Sequence, residues 1–427
     1  MGLFDRALKA TQKQAEAGQF DQALATLNAV SECADDRPEN WRDFSRYPGA
    51  DASLLARRAT LHQSKGQLDA AATDLRAAIG LRPTEGELYR MLAPLHEFRP
   101  DDPLLRQMRA RRAKPGSPAA MGFGFAMAKA LDDCAEYDAA FDELTRANAV
   151  MRTRFPYDID SRRRAVDAYH KAFKHSVDTP AVAPPTRPIF ITGLPRSGTT
   201  LVEQILSCHH AVEGGGEAAV FFPLMHKILG DPVHGSMDVS PEKVATLGQD
   251  YTAEMARRMP DAGRVTDKSI QTIMYAGAVL DALPHARIIT VTRAREATAL
   301  SLFRQVFRPG KQLFSYDLND IWIYQDLFNQ MVKFWHARRG ASMVEVAYED
   351  LVSDPERTIR TMLQFQGLAW DPTCLRPQDN PRIVRTLSAV AVRAPIGTAA
   401  RDHWRNYSDH LVPQPRKAIM YLMVLSI

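Results

Sequence analysis

A short loop between Gly193 and Thr200, with the sequence GLPRSGTT, combines two glycines, one cation and three hydroxyl groups. Gly193 and Gly198 have the spacing of the glycines in a nucleotide-binding P-loop, where backbone N–H groups surround phosphate oxygens. The lysine that follows the second glycine of such a loop is replaced by Thr199, and the cation of the loop is Arg196. The loop therefore predicts a phosphate site, but one that fits a triphosphate poorly.

The residues around this loop predict a strand before it and a helix after it. IFIT, residues 189–192, is a short apolar run, and LVEQIL, residues 201–206, has apolar residues at helical spacing. The free N–H groups and the positive dipole end of a helix N-terminus attract anions. The same strand–turn–helix connection also occurs without a ligand in α/β sheets, so the phosphate site needs support from other parts of the chain.

The octet GLPRSGTT, with the IFIT strand before it, resembles the 5′-phosphosulfate loop of sulfotransferases, especially the tyrosylprotein sulfotransferase branch. Enzymes of this family use 3′-phosphoadenosine 5′-phosphosulfate (PAPS) as the sulfuryl donor. The resemblance implies that the loop binds the sulfate-bearing end of PAPS. The residues assigned to this contact are Gly193, Pro195, Arg196, Ser197, Gly198, Thr199 and Thr200.

A second phosphate site is predicted after the apolar run ARIITVT, residues 286–292. Its continuous β-branched residues are typical of a buried parallel strand, and ligands bind beyond the carboxyl ends of such strands. Arg293 stands at this end, and Ser301 falls in the predicted following helix. The two residues match the pair that binds the 3′-phosphate in the family, although the usual Arg-Asp-Pro start reads Arg-Ala-Arg here.

Transfer to a hydroxyl acceptor requires a general base. Glu217 ends the glycine-rich run EGGGE, residues 213–217, and stands where the tyrosylprotein branch carries its catalytic glutamate. Two alternatives remain open. Glu217 could instead cap the helix predicted for AAVFFPLMH, residues 218–226, or one of the neighbouring histidines, His209 and His210, could act as the base.

Lys268, in the segment VTDKSIQT, matches a lysine that contacts the leaving side of the sulfuryl group in the family. We expect Lys268 and Arg196 to stabilise the negative charge that develops on the bridging oxygen. The alternative for Lys268 is a solvated loop lysine.

Segments nearer the C-terminus extend the resemblance. Val344, Val346 and Tyr348 alternate with other residues and predict a strand that ends at Tyr348, which the resemblance assigns to contact with the nucleotide. Ser353 or Asp354 is predicted to cap the next helix. Arg393 resembles part of the mobile segment that covers PAPS, although the residues after it depart from the family pattern.

The first half of the chain contains similar segments. GQFDQALATL from Gly18 aligns with GQLDAAATDL from Gly66, and YDAAF from Tyr137 repeats the theme. Alanines stand where two helices of a tetratricopeptide-like unit approach closely, namely Ala23, Ala71 and Ala140. A plain helical bundle is the alternative. Such repeats present grooves that bind peptides, which suggests a peptide or protein acceptor.

Prolines mark the boundary between the two halves, in TPAVAPPTRP at residues 179–188. We therefore predict a tetratricopeptide-like helical domain over residues 1–150, a helical and proline-rich linker over 151–187, and a PAPS-binding sulfotransferase domain over 188–427. The predicted fold class is α/β, with a P-loop-type α/β/α domain around a central parallel sheet.

Composition narrows the possible partners. The formal net charge of +4 is mild and is not accompanied by a nucleic-acid-reading motif, so we expect an anionic small ligand rather than DNA or RNA. The four cysteines, Cys33, Cys134, Cys208 and Cys374, are too widely spaced for a zinc site or a disulfide framework. With no signal-like or membrane-spanning segment in the sequence, we expect a cytoplasmic protein. We also expect no bound metal, because no carboxylate pair suited to Mg²⁺ is evident in the sequence.

Taken as a whole, the chain resembles a bacterial sulfotransferase with tetratricopeptide-like repeats, and the resemblance covers nearly its whole length. It implies transfer of a sulfuryl group from PAPS to protein tyrosine, carbohydrate or a small alcohol. Two alternatives remain: a nucleotide kinase or ATPase on the same loop, and a repeat scaffold whose second domain binds PAPS or its product, 3′-phosphoadenosine 5′-phosphate (PAP), without catalysis.

Overall fold

The computed structural model describes residues 3–32, 50–111, 114, 116–173, 175, 187–260, 262–384 and 386–412. Cys33 and most of the predicted proline linker, residues 179–186, lie outside the described residues. The first part of the chain is helical. Its helices are α1 (Leu3–Glu16), α2 (Phe20–Glu32), α3 (Ala50–Lys65), α4 (Leu68–Leu81), α5 (Gly86–Leu92), α6 (Pro103–Ala110), α7 (Pro118–Asp133), α8 (Tyr137–Arg154) and α9 (Ile159–Ala172).

Three antiparallel helix pairs stand where the sequence similarity predicts them: α1 with α2, α3 with α4, and α7 with α8. Each pair turns through a residue with a left-handed backbone two positions before its second helix, at Gly18, Gly66 and Ala135. The alanine predicted at the close approach is fully buried in all three pairs. The existence of the pairs is thus confirmed, whereas their assignment to tetratricopeptide repeats stays a prediction.

The second part of the chain forms a five-stranded sheet in the order β2-β3-β1-β4-β5, in which every adjacent pair is parallel. The strands are β1 (Arg187–Gly193), β2 (Glu213–Gly214), β3 (Arg264–Lys268), β4 (Arg287–Thr292) and β5 (Met343–Ala347). Side chains of the central strands alternate between two cores: Phe190 and Ile288 face one, and Ile189 faces the other. A central parallel sheet is therefore confirmed.

Helices cover both faces of this sheet. The helices of this part are α10 (Thr199–Leu206), α11 (Phe221–Leu229), α12 (Pro241–Arg258), α13 (Ala276–Ala282), α14 (Arg295–Phe303), α15 (Leu318–Arg339), α16 (Tyr348–Ser353), α17 (Pro355–Phe365) and α18 (Ala399–Asp402). Apolar side chains of α10, α16 and α17 form the core on one face, and those of α11, α12, α13 and α15 belong to the core on the other. The result is a three-layer α/β/α arrangement.

The helix pair α7–α8 also packs into the core of the α/β layers. Phe141 and Leu144 belong to the same apolar cluster as Phe190, and the Asn148 amide donates to the Phe303 carbonyl oxygen at 2.8 Å. A cut after residue 150 would therefore divide a continuous core.

Two local predictions are wrong. The helix predicted over residues 218–226 begins only at Phe221, so Glu217 lies outside its first turn and does not cap it. Tyr348 does not end the strand, because β5 stops at Ala347 and Tyr348 opens α16. The cap before α17 is Asp354, whose side chain accepts from the Arg357 backbone N–H. Among the described residues, no helix combines the length and the apolar character needed to cross a membrane.

Candidate active site

The candidate site lies at the carboxyl edge of the sheet, where three neighbouring strands end together. Gly193 ends β1, Lys268 ends β3, and Arg293 follows β4 directly. Because the strands are parallel and adjacent, their ends meet at the same edge, which is where open α/β sheets bind ligands. The fold thus brings together three segments that are far apart in the chain.

The loop from Gly193 to Thr200, which we call the phosphate loop after its predicted ligand, has an unusual backbone. Arg196 and Gly198 both have positive φ angles, 72° and 109°, and α10 begins immediately after Gly198. A Cβ atom on Gly193 would lie 2.6 Å from the Val291 carbonyl oxygen, so the loop can approach β4 only through a glycine. The first N–H groups of α10 have no carbonyl partner within the helix, and groups of this kind can bind an anion.

Arg196 connects the loop to two distant segments. Its Nε donates to the Ser301 hydroxyl at 3.1 Å, and one terminal nitrogen donates to the Ser388 hydroxyl at 2.8 Å. Burial, together with the nearby Arg293 and Arg304, lowers the pKa of Arg196 to about 10, so the guanidinium stays charged near pH 7. The side-chain partners of Arg196 are neutral hydroxyl groups, and a cation near other cations favours binding of an anion.

Arg293 supports the loop from the other side. It donates to the Arg196 carbonyl oxygen at 3.0 Å and to the Ala400 carbonyl oxygen at 2.5 Å. Its guanidinium lies 4.6 Å from the ring centre of Tyr348, and a Cβ atom on Gly198 would be 2.8 Å from the same ring. Burial lowers the pKa of Arg293 as well. The predicted residues Arg293, Ser301 and Tyr348 therefore all adjoin the phosphate loop.

Lys268 is not a solvated loop lysine, because it ends β3 and is only 5% exposed. Its Nζ atom lies 3.4 Å from the Thr200 hydroxyl and 3.1 Å from Oε2 of Glu203, a fully buried residue of α10. Its backbone N–H donates to the Gly216 carbonyl oxygen at 2.9 Å. Lys268 thus joins the phosphate loop to the glycine-rich run that carries Glu217.

Glu217 is exposed to solvent and directly follows Gly216, whose carbonyl oxygen accepts from the Lys268 backbone N–H at the end of β3. The alternative base His209 is buried: its Nδ1 accepts from the Ala211 backbone N–H, which leaves Nε2 to donate to the Ala369 carbonyl oxygen. Both nitrogens are therefore used in holding the chain. The same bonds argue against a metal site where His209, His210 and Asp371 approach one another.

A segment from the far end of the chain lies on this site. We call residues 380–384 and 386–393 the strap. The Ser388 hydroxyl accepts from Arg196, the Thr386 hydroxyl lies 3.2 Å from that of Thr200, and Arg382 forms an ion pair with Glu203 at 3.1 Å.

Arg393 lies in the strap but is placed differently from the other predicted site residues. Its guanidinium donates to the carbonyl oxygens of Asn380 and Arg382, at 2.6 and 2.7 Å, and packs against Gly66 in the turn between α3 and α4. Its contacts thus lie with the strap and the N-terminal helices rather than with the phosphate loop.

Sequence reasoning missed several residues of the site, namely Glu203, Thr266, Arg382, Thr386 and Ser388. The sequence held a signal for Glu203, because a charged residue interrupts the apolar run LVEQIL of a predicted helix. In the structure, Glu203 and Gln204 are both fully buried. Burying a charge without partners is costly, so this pattern indicates a partner of opposite charge. The strap residues carry no comparable local signal.

Comparisons with a family model, with curated proteins and with solved structures all find sulfotransferases. Residues 188–372 match the family model described as "Sulfotransferase family". An uncharacterized protein of Aquifex aeolicus is 29% identical over 311 residues, which cover 68% of this chain and 40% of that protein. The protein-tyrosine sulfotransferase 2 of Gallus gallus is 24% identical over 226 residues, which cover 50% of this chain and 58% of that protein. The chain thus spans less than two thirds of these relatives' length.

Among solved structures, the sulfotransferase domain of the Synechococcus PCC 7002 olefin synthase aligns with a TM-score of 0.37 and 19% sequence identity, over 54% of this chain and 91% of that domain. The family match begins just before the phosphate loop and extends beyond Lys268, Arg293 and Tyr348. Residues 188–372 of this chain are a domain of the sulfotransferase family.

Proposed function

We propose that this protein is a PAPS-dependent sulfotransferase that transfers a sulfuryl group to a hydroxyl acceptor by in-line displacement. One observation carries the proposal: three cations, Arg196, Lys268 and Arg293, converge at the ends of three adjacent parallel strands around a loop with free helix N–H groups. PAPS carries anionic groups at both its 5′ and 3′ positions, and such an array of donors suits them.

The residues divide into two groups in this proposal. The phosphate loop, which includes Thr200, holds the 5′-phosphosulfate. Arg293 and Ser301 hold the 3′-phosphate, and Tyr348 contacts the nucleotide. The hydrogen bond between Arg196 and Ser301 shows that the two groups are adjacent, as one bound PAPS molecule that contacts both would require.

In the proposed reaction, the bond between sulfur and the 5′-phosphate oxygen breaks while the acceptor oxygen bonds to sulfur. Glu217 takes the acceptor proton, and its exposure suits a group that must reach an incoming substrate. Lys268 and Arg196 stabilise the negative charge on the leaving oxygen, so the chemistry requires no metal ion. The acceptor is a protein tyrosine, a carbohydrate or a small alcohol, and the N-terminal helix pairs offer a surface for a peptide.

Calorimetric titration with PAP, and separately with ATP plus Mg²⁺, tests the donor assignment. We expect PAP to bind, and Arg196→Ala and Arg293→Ala to weaken that binding by about a hundredfold, since each removes a charge-assisted contact. Arg164→Ala is the matched control, because it removes an exposed arginine of α9 that pairs with Asp158. Selective binding of ATP with Mg²⁺ would identify a nucleotide kinase or ATPase instead.

Release of PAP from PAPS, with water or a simple phenol as acceptor, tests catalysis. Glu217→Gln should lower turnover by about a hundredfold or more, because general bases typically contribute that much, and should leave PAP affinity unchanged. PAP binding without any turnover across a broad acceptor panel would instead favour a silent scaffold.

A further inference from the structure

Glu203 is a buried carboxylate that the proposed reaction does not use. It accepts hydrogen bonds at Oε1 from the Gly216 backbone N–H at 2.8 Å and from the Thr266 hydroxyl at 3.0 Å. It also forms two ion pairs, each of 3.1 Å, with Lys268 and Arg382. One carboxylate therefore joins α10, the glycine-rich run, β3 and the strap.

Glu203 remains ionised in these surroundings. Its complete burial opposes ionisation, but the charges of Lys268 and Arg382 outweigh this effect and hold the pKa of Glu203 below its ordinary value. A buried ion pair is commonly no more stabilising than an apolar residue of similar size. The neighbours of Glu203 on α10 that face the core, such as Val202 and Ile205, are indeed apolar. Stability alone thus does not account for a charge here.

The partners of Glu203 indicate what the charge does. Lys268 Nζ lies between Glu203 and the Thr200 hydroxyl, so the ion pair sets the position of the amine beside the phosphate loop. Gly216 stands directly before Glu217, so its hydrogen bond to Glu203 sets where the base enters the site. The proposed base and the proposed leaving-group cation are therefore positioned by the same carboxylate.

We propose that Glu203 is a positioning residue that aligns Lys268 and the backbone before Glu217 for sulfuryl transfer, and that its negative charge weakens binding of the anionic donor. This inference rests on the proposed sulfotransferase function. It requires that donor affinity and turnover respond to loss of the charge in opposite directions. A residue with a purely structural role would lower both.

Glu203→Gln tests this directly, because glutamine keeps an acceptor oxygen for Gly216 and Thr266 but removes the charge. We expect PAP to bind about three to ten times more tightly, and PAP release from PAPS to slow by about tenfold or more, as Lys268 loses its charged partner. Glu356→Gln, which removes a charge from an exposed pair on α17, controls for net charge and should change neither quantity.

Weaker PAP binding together with slower turnover would overturn the inference in favour of a structural role, and tighter binding with unchanged turnover would overturn the positioning role. An unaltered protein that does not bind PAP would instead reject the proposed function itself.

A second variant keeps the test decisive if Glu203→Gln does not fold. Thr266→Val preserves shape and charge but removes a hydroxyl that donates to Glu203 and accepts from the Gly215 backbone N–H at 3.0 Å. We expect turnover to fall about three- to tenfold at unchanged PAP affinity, and unchanged turnover would again overturn the positioning role.

Discussion

The phosphate loop and the strap meet at Arg196, but they are built in different ways. The loop is one continuous stretch between β1 and α10, and its shape depends on backbone angles at Arg196 and Gly198. The strap contains neither a strand nor an α-helix, only one 3₁₀ turn at Ala391–Arg393, and the distant side chains of Arg196 and Glu203 hold it in place. A single substitution in the loop should therefore lower PAP affinity strongly, whereas a single substitution in the strap should lower it only slightly.

Gly198→Ala should weaken PAP binding more than any strap variant does, and it tests the loop side of this comparison. An alanine at φ 109° is strained, and its Cβ would press on Tyr348. We expect PAP affinity to fall by about ten- to a hundredfold in calorimetric titration. Gly80→Ala, at an uncrowded position of α4, is the matched control and should bind PAP normally. An equal loss in both variants would show that the loop backbone is not special.

Asp267 of β3, the strand beside β1, should make the stability of the fold depend on pH. It pairs with Phe190 of β1 in the sheet register, and burial raises its pKa to about 7 despite a hydrogen bond from the Tyr251 hydroxyl. Since the folded state binds this proton more tightly than the unfolded state, stability falls as pH rises from about 4 to 7 and then levels off. The slope from this group is at most about 1.4 kcal/mol per pH unit.

We expect Asp267→Asn to flatten this part of the stability profile, as measured by urea unfolding at several pH values. Strap variants such as Ser388→Ala should keep the slope of the unaltered protein. A slope that survives in Asp267→Asn would place the titrating group elsewhere.

Ser388→Ala tests whether the strap contributes to the anion site through Arg196. Loss of a hydroxyl that accepts from this guanidinium at 2.8 Å should weaken PAP binding about three- to tenfold. Thr386→Val, which removes a hydroxyl next to Thr200, offers a comparison within the same segment. Tighter PAP binding by Ser388→Ala would mean that Ser388 competes with the anion for Arg196.

Arg393→Met should have the smallest effect and separates two roles for Arg393. If Arg393 only holds the strap through carbonyl oxygens and Gly66, PAP affinity should fall by about two- to threefold. A loss as large as that expected for Arg196→Ala would instead support the direct PAPS contact that the family resemblance implies. Calorimetry on both variants under the same conditions distinguishes these outcomes.

Much of the fold follows from local patterns. The apolar run at 286–292 forms the predicted parallel strand, Ser301 lies in the predicted helix, and the helix pairs appear where Gly18 and Gly66 align. The errors are boundaries. Tyr348 continues an alternating pattern, yet β5 ends at Ala347, because alternation does not specify where a strand stops pairing with its neighbour.

The sequence by itself determined the glycine-bounded loop, the strand before it, the helix after it, and the position of Arg293 at the end of a parallel strand, because these depend on neighbouring residues and on glycine geometry. Tertiary structure alone decided that Lys268 is buried against Glu203 and that the strap contacts Arg196. It also decided that Arg393 contacts Gly66 instead of the loop. Such contacts join segments far apart in the chain, and their energies depend on burial and on distance between charges, neither of which is encoded in local spacing.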